Sequence, residues 1–261
     1  MFRLDREITS IHPDTILSIN GFKITNTTLL SLLILILLGS VCFFSIRKFQ
    51  HRPNKTQTFI EMIIEAMLGL ISQITGSVKN AQYIFPLVAT IFVYLAVSNL
   101  IGMIPGLTSI TFGGAPIFRS PTTDFNTTFG LAIGCVFVLN SLSIKDWGFF
   151  GHLGKFFKIK EIFLGFKKSI SDGLMALIDF AIGLLDIIGE AAKVISLSLR
   201  LFGNMYAGEV LATLMLGAFA YFVPIAWSAM SLLSGIVQAI VFGALVTSYY
   251  MLALKEEEPV K

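Results

Sequence analysis

The sequence predicts an all-α integral membrane protein, and three observations lead to that fold class. Of its 261 residues, 55% are hydrophobic and only 13% are charged, and the mean hydropathy is +0.81. A soluble domain of this composition would leave far too much apolar surface in water. The apolar residues also fall in runs long enough to cross a bilayer as helices. We therefore expect about five transmembrane helices and one amphipathic helix on the membrane surface.

The apolar runs are interpreted as one membrane domain that follows an outer N-terminal tail, residues 1–27. The fourth run would measure about 68 Å as a helix, whereas the hydrocarbon layer is about 30 Å thick. It must be kinked, broken or steeply tilted. With the fifth run it is predicted to form a long tilted hairpin through a turn near Tyr221–Pro224. The five runs are residues 28–46, 84–104, 127–143, 172–216 and 221–254.

Residues 56–77 follow a different pattern, in which apolar residues recur at helical spacing. Glu61, Glu65 and Gln73 interrupt the apolar residues. This pattern is typical of an amphipathic helix that lies on the membrane surface. A sixth span is the alternative interpretation.

The positions of the basic residues predict the orientation. Basic residues cluster after the first run and in the loop 144–171, whereas the loop 105–126 carries only Arg119. By the positive-inside rule the first two regions face the cytoplasm and the third faces outside. The N-terminus is then outside and the C-terminus cytoplasmic. The N-terminal residues do not have the pattern of a cleavable signal, so the first run is expected to be a retained anchor.

The fourth run carries charged and polar residues where hydrocarbon is expected. A charge at the bilayer centre costs about 2.5 kcal/mol or more, so such residues are functional candidates. Glu190 and Lys193, three positions apart, could instead form a purely structural ion pair. The residues in question are Asp179, Asp186, Glu190, Lys193, Arg200, Asn204 and Glu209.

Arg200 and Glu209 are placed for different roles. On one helix they would point about 180° apart and lie roughly 13 Å apart along the axis. Arg200 has no carboxylate three or four positions away, so its counter-charge must come from another helix or subunit. An arginine stays protonated, whereas a glutamate in a dry setting can take up and release protons. An arginine and a glutamate placed in this way suit a protein that moves a cation across the membrane together with a partner subunit.

Three other classes of protein fit the sequence less well. A secondary transporter would predict an internal repeat or paired broken helices, and neither is found. A membrane enzyme would need a catalytic set or a glycine-rich nucleotide loop, and the sequence has none. Cys42 and Cys135 lie inside apolar runs, so neither a disulfide nor a metal site is expected. No cofactor is expected either. A structural or assembly protein would tolerate the loss of Arg200.

The segment SLSLRLFGNMYAGE, residues 196–209, resembles the signature of the subunit a family of F-type ATP synthases. Three further family features appear in order. They are NLIGMIPG (99–106), PTTDFNTT (121–128) and a final helix with a glutamine, GIVQAIVFGALVTSYY (235–250).

The resemblance implies a non-catalytic, proton-translocating stator subunit in the inner (plasma) membrane of a bacterium. Its two half-channels would load and unload the carboxylates of the c-subunit ring, and so couple proton flow to ring rotation and ATP synthesis. The implied partners are the c-ring, the peripheral-stalk b subunits, other synthase subunits and lipid, with no nucleic acid. A sodium-translocating version of the same subunit is the alternative.

The resemblance also implies roles for individual residues. Arg200 matches the family's essential arginine, which faces the c-ring and blocks a leak between the half-channels. Glu209 matches an acid of the outer half-channel, and Asp186 an acid on the cytoplasmic side. The other candidates for ion translocation are Asn204, Gln238, Ser231, Ser234 and Glu190, with Asp124, Asn126, Thr127 and Asn99 in the outer half-channel.

Ser231 departs from the family pattern, because many bacterial members have a histidine or another titratable group there. No histidine of this sequence lies in an apolar run. We therefore expect water held by Ser231, Ser234 and Asn204 to carry the proton to or from Glu209.

Overall fold

The computed structural model describes residues 13–19, 22–47, 54–104, 110–112, 115–156, 170–218 and 222–253. The described chain is helical apart from two short hairpins, which confirms the predicted all-α class. The predicted tail before residue 13 and part of the predicted cytoplasmic loop, residues 157–169, lie outside the described residues. The helices are α1 Asn26–Ile46, α2 Lys55–Thr75, α3 Val78–Gly102, α4 Phe125–Trp147, α5 Phe149–Phe156, α6 Ile170–Ala218 and α7 Phe222–Ala253.

Two small antiparallel hairpins were not predicted. Strands β1 and β2 pair with Ile19 opposite Phe22, and the register shifts between Thr15 and Leu17. Strands β3 and β4 pair with Phe112 opposite Ala115. The strands are β1 Thr15–Ile19, β2 Phe22–Thr25, β3 Thr111–Phe112 and β4 Ala115–Pro116.

Five described helices are long and apolar enough to cross a membrane: α1, α2, α3, α4 and the part of α7 from Ala226 onward. Helix α2 meets this criterion although the sequence predicted a surface helix, so its position on the surface stays a prediction. It begins after the N-cap Asn54, whose side chain accepts a hydrogen bond from the Lys55 N–H. It ends at Gly76, whose φ of +63° favours glycine.

Helices α6 and α7 form the predicted antiparallel hairpin. Nε1 of Trp227 donates to the Gly208 carbonyl at 3.2 Å, and Oγ of Ser234 donates to Oδ1 of Asn204 at 3.1 Å. Later positions of α7 thus contact earlier positions of α6, so the two helices are antiparallel. Helix α6 runs without a break over 49 residues, so the alternative of a broken fourth run is wrong. Tyr221 of the predicted turn lies outside the described residues.

The chain divides into two compact units, Met1–Thr128 with Leu199–Ser248, and Phe129–Ser198 with Tyr249–Lys261. In the first unit α3 and α7 pack closely at small residues, which let helix backbones approach in a membrane. A Cβ on Gly243 would lie 3.1 Å from Cγ1 of Val88. The buried apolar side chains of the first unit include Ile84, Leu95, Leu201, Phe242 and Val246.

The second unit joins the ends of α4 and α7. Oγ of Ser143 and Nε1 of Trp147 both donate to the Ala253 carbonyl, at 3.0 and 3.3 Å. Between α4 and α5 stands Gly148, whose φ of +73° lies in the left-handed region. Oγ of Ser143 also lies 3.1 Å from Nδ1 of His152. These contacts close α5 back onto α4.

Candidate functional site

Arg200 lies on an exposed face of α6 in the first unit. The exposed positions after it recur at helical spacing, so they form one stripe that the described chain leaves uncovered. Two members, Gly203 and Ala207, are small, and the next two are leucines, exposed by 37% and 54%. The sequence thus places one charge on an otherwise small and apolar face. The stripe consists of Arg200, Gly203, Ala207, Leu211 and Leu214.

Asn204 and Ser234, both predicted to lie on the ion path, contact each other directly. Oγ of Ser234 donates to Oδ1 of Asn204 at 3.1 Å. One turn along α7, Gln238 is buried, and its Nε2 has no hydrogen-bond partner among the described residues. Ser231 packs near Gly208, because a Cβ built on Gly208 would lie 3.9 Å from Oγ of Ser231. Polar groups of α7 therefore line the α6 segment that carries Arg200 and Glu209.

Asn99 joins α3 to this polar region. Its Nδ2 donates to the Gly235 carbonyl at 3.0 Å, and a Cβ on Gly235 would lie 3.2 Å from the Asn99 Cβ. Oδ1 of Asn99 and Oγ of Ser98 are buried without a hydrogen-bond partner in the part of the chain that the structure describes. Buried polar atoms of this kind are expensive in a membrane and are characteristic of functional sites.

Arg119 is a buried charged residue that the sequence reasoning missed. On α6, Oε2 of Glu209 is buried and has no hydrogen-bond partner in the part of the chain that the structure describes. Arg119 is only 4% exposed, and its Nε donates to Oγ1 of Thr123 at 3.3 Å. The sequence indicated only that Arg119 was the single basic residue of a loop. Its burial depends on the fold and left no signal in the local pattern.

Asp124 is held by three hydrogen bonds. Its Oδ2 accepts from the hydroxyls of Thr27 and Thr127, each at 3.0 Å, and its Oδ1 accepts from the Asn126 N–H at 3.0 Å. The last two bonds anchor the carboxylate at the start of α4, where an acid interacts favourably with the helix dipole. The bond from Thr27 ties in the start of α1. The predicted half-channel roles of Asp124, Asn126 and Thr127 stay predictions.

In the second unit, Glu190 and Lys193 form the ion pair that the sequence suggested. Oε1 of Glu190 lies 2.6 Å from Nζ of Lys193, and that ammonium also lies 5.3 Å from the ring centroid of Tyr249. Asp186 is exposed. The translocation roles predicted for Glu190 and Asp186 stay predictions.

Comparisons with known proteins agree with the resemblance. Residues 27–251 match the family described as ATP synthase A chain. The chain is 32% identical to ATP synthase subunit a of Desulforamulus reducens over 205 residues, which cover 76% of this chain and 66% of that protein. It is 28% identical to ATP synthase subunit a of Moorella thermoacetica over 242 residues, which cover 93% and 96%.

A third relative has a stated ion specificity. The chain is 31% identical to "ATP synthase subunit a, sodium ion specific" of Propionigenium modestum over 243 residues. The match covers 91% of this chain and 77% of that protein.

Proposed function

Because this chain belongs to the ATP synthase A chain family, we propose that it translocates protons as the stator partner of a rotating c-subunit ring. It is a multi-pass membrane subunit of the Fo sector and works with other ATP synthase subunits. The proposal covers three points: the c-ring as partner, the proton as the ion, and the roles of individual residues. We also propose that this subunit is non-catalytic and that ATP chemistry takes place on other subunits of the complex.

The observation that carries this proposal is the exposed stripe on α6. An arginine stays protonated under all ordinary conditions. Arg200 can therefore attract a ring carboxylate, stabilise its ionised form and release it without transferring a proton. The small residues Gly203 and Ala207 would let a partner helix approach the backbone closely. A charged position on such a face suits a helical partner with a carboxylate in its membrane layer.

The polar groups around Glu209 support an outer half-channel. A proton from outside would pass Glu209 and the polar groups of α6 and α7, Asn204, Ser231 and Ser234, and then neutralise a ring carboxylate. The neutral site could turn into lipid at low cost. After nearly a full rotation it would lose its proton on the cytoplasmic side, where Asp186 is assigned. Each charge that crosses 100 mV releases about 2.3 kcal/mol for rotation.

The basic loops support an orientation in the inner membrane of a bacterium, with the N-terminus outside and the C-terminus in the cytoplasm. The first cytoplasmic segment would then be available to the peripheral-stalk b subunits. Labelling of a single cysteine placed at either end, with a reagent that cannot cross the membrane, tests the orientation. A C-terminal cysteine that reacts from outside in intact cells would contradict it.

Sodium is the second candidate ion. The relative from Propionigenium modestum is named as sodium-specific and is about as similar to this chain as the other relatives. The ligands of the ion lie chiefly on the c-ring in this proposal. A choice between the ions therefore needs a measurement on the whole complex.

The decisive experiment compares Arg200→Ala with the parent in reconstituted complexes. ATP synthesis is measured under a proton gradient and, separately, under a sodium gradient. We expect the parent to respond to protons alone and Arg200→Ala to abolish synthesis. Arg47→Ala is the matched control, because Arg47 lies at the exposed end of α1, 4.2 Å above the Phe43 ring.

Three outcomes would count against parts of the proposal. Synthesis that survives Arg200→Ala would make this arginine a structural residue. A response of the parent to sodium alone would replace the proton with sodium. Equal losses in Arg47→Ala and Arg200→Ala would show that the assay reports damage to the fold instead of the ion path.

A further inference from the structure

Asn99 of α3 is buried against the backbone of α7. It is only 1% exposed, and its Nδ2 donates to the Gly235 carbonyl at 3.0 Å. A Cβ on Gly235 would lie 3.2 Å from the Asn99 Cβ, so the glycine lets the two helix backbones approach closely. Close approach at a small residue and a hydrogen bond between helices both hold transmembrane helices together. Asn99 therefore fixes α7 against α3 at Gly235.

A second close contact joins the same two helices two turns further along α7. A Cβ on Gly243 would lie 3.1 Å from Cγ1 of Val88. Gly235 and Gly243 are eight positions apart, a spacing that keeps residues within one helical stripe. Two contacts along one stripe fix both the rotation of α7 and its position along α3. The side chains that α7 directs at α6 are then fixed as well.

Ser234, the neighbour of Gly235, transmits this placement to α6. Its Oγ donates to Oδ1 of Asn204 at 3.1 Å, and Asn204 lies one turn after Arg200. A continuous series of contacts thus leads from Asn99 through α7 to the α6 segment that carries Arg200. All of these residues belong to the first compact unit.

We propose that Asn99 is a positioning residue of the ion path, which acts through Gly235 and Ser234 on Asn204. Its hydrogen bond sets the rotation and axial position of α7, so that Ser234 meets Asn204 beside Arg200. Asn99 itself passes no proton, because an amide does not titrate and its Nδ2 already donates to a backbone carbonyl. This inference rests on the proposed function, because it assumes that ions pass between the polar groups of α6 and α7.

Disulfide crosslinking between α6 and α7 measures the position of α7 directly. A Cβ on Gly208 would lie 3.9 Å from Oγ of Ser231, so cysteines at these two positions can form a disulfide after a small adjustment. The double variant Gly208→Cys, Ser231→Cys is made in a chain with Cys42→Ala and Cys135→Ala. The rate of crosslinking after addition of an oxidant is measured in assembled complexes, identified by co-purification of the ring.

Asn99→Leu removes the hydrogen bond and keeps a side chain of similar size. A buried hydrogen bond changes an equilibrium by about fivefold, and we expect crosslinking to slow by about that factor. Asn99→Gln keeps the amide donor and should fall between the parent and Asn99→Leu. Asn80→Leu, the same substitution in the first turn of α3, is the control and should crosslink at the parental rate. Parental crosslinking in Asn99→Leu, or no recovery in Asn99→Gln, would overturn the proposal.

Passive proton flux through the membrane sector, measured without the added cysteines, tests the route of the effect. We expect Asn99→Leu to lower the flux, and to lower it little further when Ser234→Ala is already present, because both changes disturb the same contact with Asn204. Losses that multiply in the double variant would show that Asn99 acts on the ion path by another route and would overturn the proposal.

Gly235→Ala decides the question if Asn99→Leu does not assemble. It leaves the Asn99 amide intact, but the added methyl group must push α7 away from α3. We expect slower crosslinking, and the parental rate would overturn the proposal. Crosslinking does not depend on ion flow, so a failure of the proposed function is a different result. In that case the parent, or Arg200→Ala, would give the unexpected rate of synthesis.

Discussion

Gly102, the last residue of α3, lies directly against Ser120. A Cβ on Gly102 would stand 2.6 Å from the Ser120 Cβ and 2.8 Å from its Oγ. No side chain fits at that distance without a shift of the backbone. Ser120 precedes the 3₁₀ turn and follows Arg119 in the chain. The absence of a side chain at position 102 therefore sets the position of the segment that carries the buried Arg119.

Gly102→Ala is expected to lower both the thermal stability of the complex and its proton flux. The added methyl group must displace Ser120 and, with it, Arg119 and Thr123. Overpacking of this kind typically costs about 1–3 kcal/mol. Ser120→Gly in the same chain removes the clashing Cβ but also the Oγ that bonds the Ser98 carbonyl, so it should recover only part of the flux. The measurements are the melting temperature in detergent and the flux of proteoliposomes.

Gly130→Ala is the matched control for that experiment, because a Cβ on Gly130 would meet no atom within 4 Å. We expect it to change neither the melting temperature nor the flux to a comparable extent. A Gly102→Ala complex that keeps the parental melting temperature and flux would refute the steric explanation.

Asp124→Ala is expected to destabilise the complex by about 3 kcal/mol. It removes the acceptor for two hydroxyls and for the Asn126 N–H, and hydrogen bonds to a charged group contribute about 1.5–3 kcal/mol each. Losses at one shared acceptor do not add fully. The measurement is the melting temperature of the purified complex. Asn126→Ala is the control, because the Asn126 side chain is exposed and its N–H is retained. Equal melting temperatures for the two variants would contradict this account.

The pair Glu190→Gln and Lys193→Gln, made together, is expected to retain proton-driven synthesis within about twofold. Neutral replacement of both partners of an ion pair is often nearly neutral in energy, whereas removal of one partner leaves a charge unpaired. Glu190→Gln alone should therefore lower the yield of assembled complex more than the double variant does. A double variant that assembles but conducts no protons would show that Glu190 itself serves the ion path.

The long helices could be predicted because apolar runs of this length have few other stable states in a membrane. The first run, 28–46, differs by two residues from α1, and the last, 221–254, by one residue at each end from α7. The second run was predicted from residue 84, but α3 begins at Val78. The first turns of α3 contain polar residues, so a search for apolar runs does not include them. The helical backbone hydrogen bonds nevertheless continue through these turns.

The hairpin of β1 and β2 was missed although its sequence contains a strong signal. Asn20-Gly21 separates the two strand segments, and this dipeptide is typical of two-residue hairpin loops. The tail predicted for residues 1–27 rests on the mixed charge and polar sequence of this segment. A local turn rule would have found the strands, because the information lies within the segment itself.

The candidate site shows the opposite case. Arg200, Glu209 and Asn204 could be found from the sequence because polar residues are conspicuous in an apolar run. Arg119 could not, since its basic side chain is ordinary in a loop. Its significance arises only when the segment before the 3₁₀ turn packs on α3 and buries the guanidinium beside Thr123. Contacts between elements so far apart in the chain depend on tertiary packing, which local patterns do not encode.

The hydrogen bond from Thr27 to Asp124 spans 97 positions of the chain. During synthesis α1 reaches the bilayer long before Asp124 leaves the ribosome, so Thr27 must wait for its acceptor while α2 and α3 insert. The start of α4 then completes the bond and joins the first helix to the fourth. The contact therefore distinguishes a chain in which the start of α4 has reached its place from one arrested after its third helix.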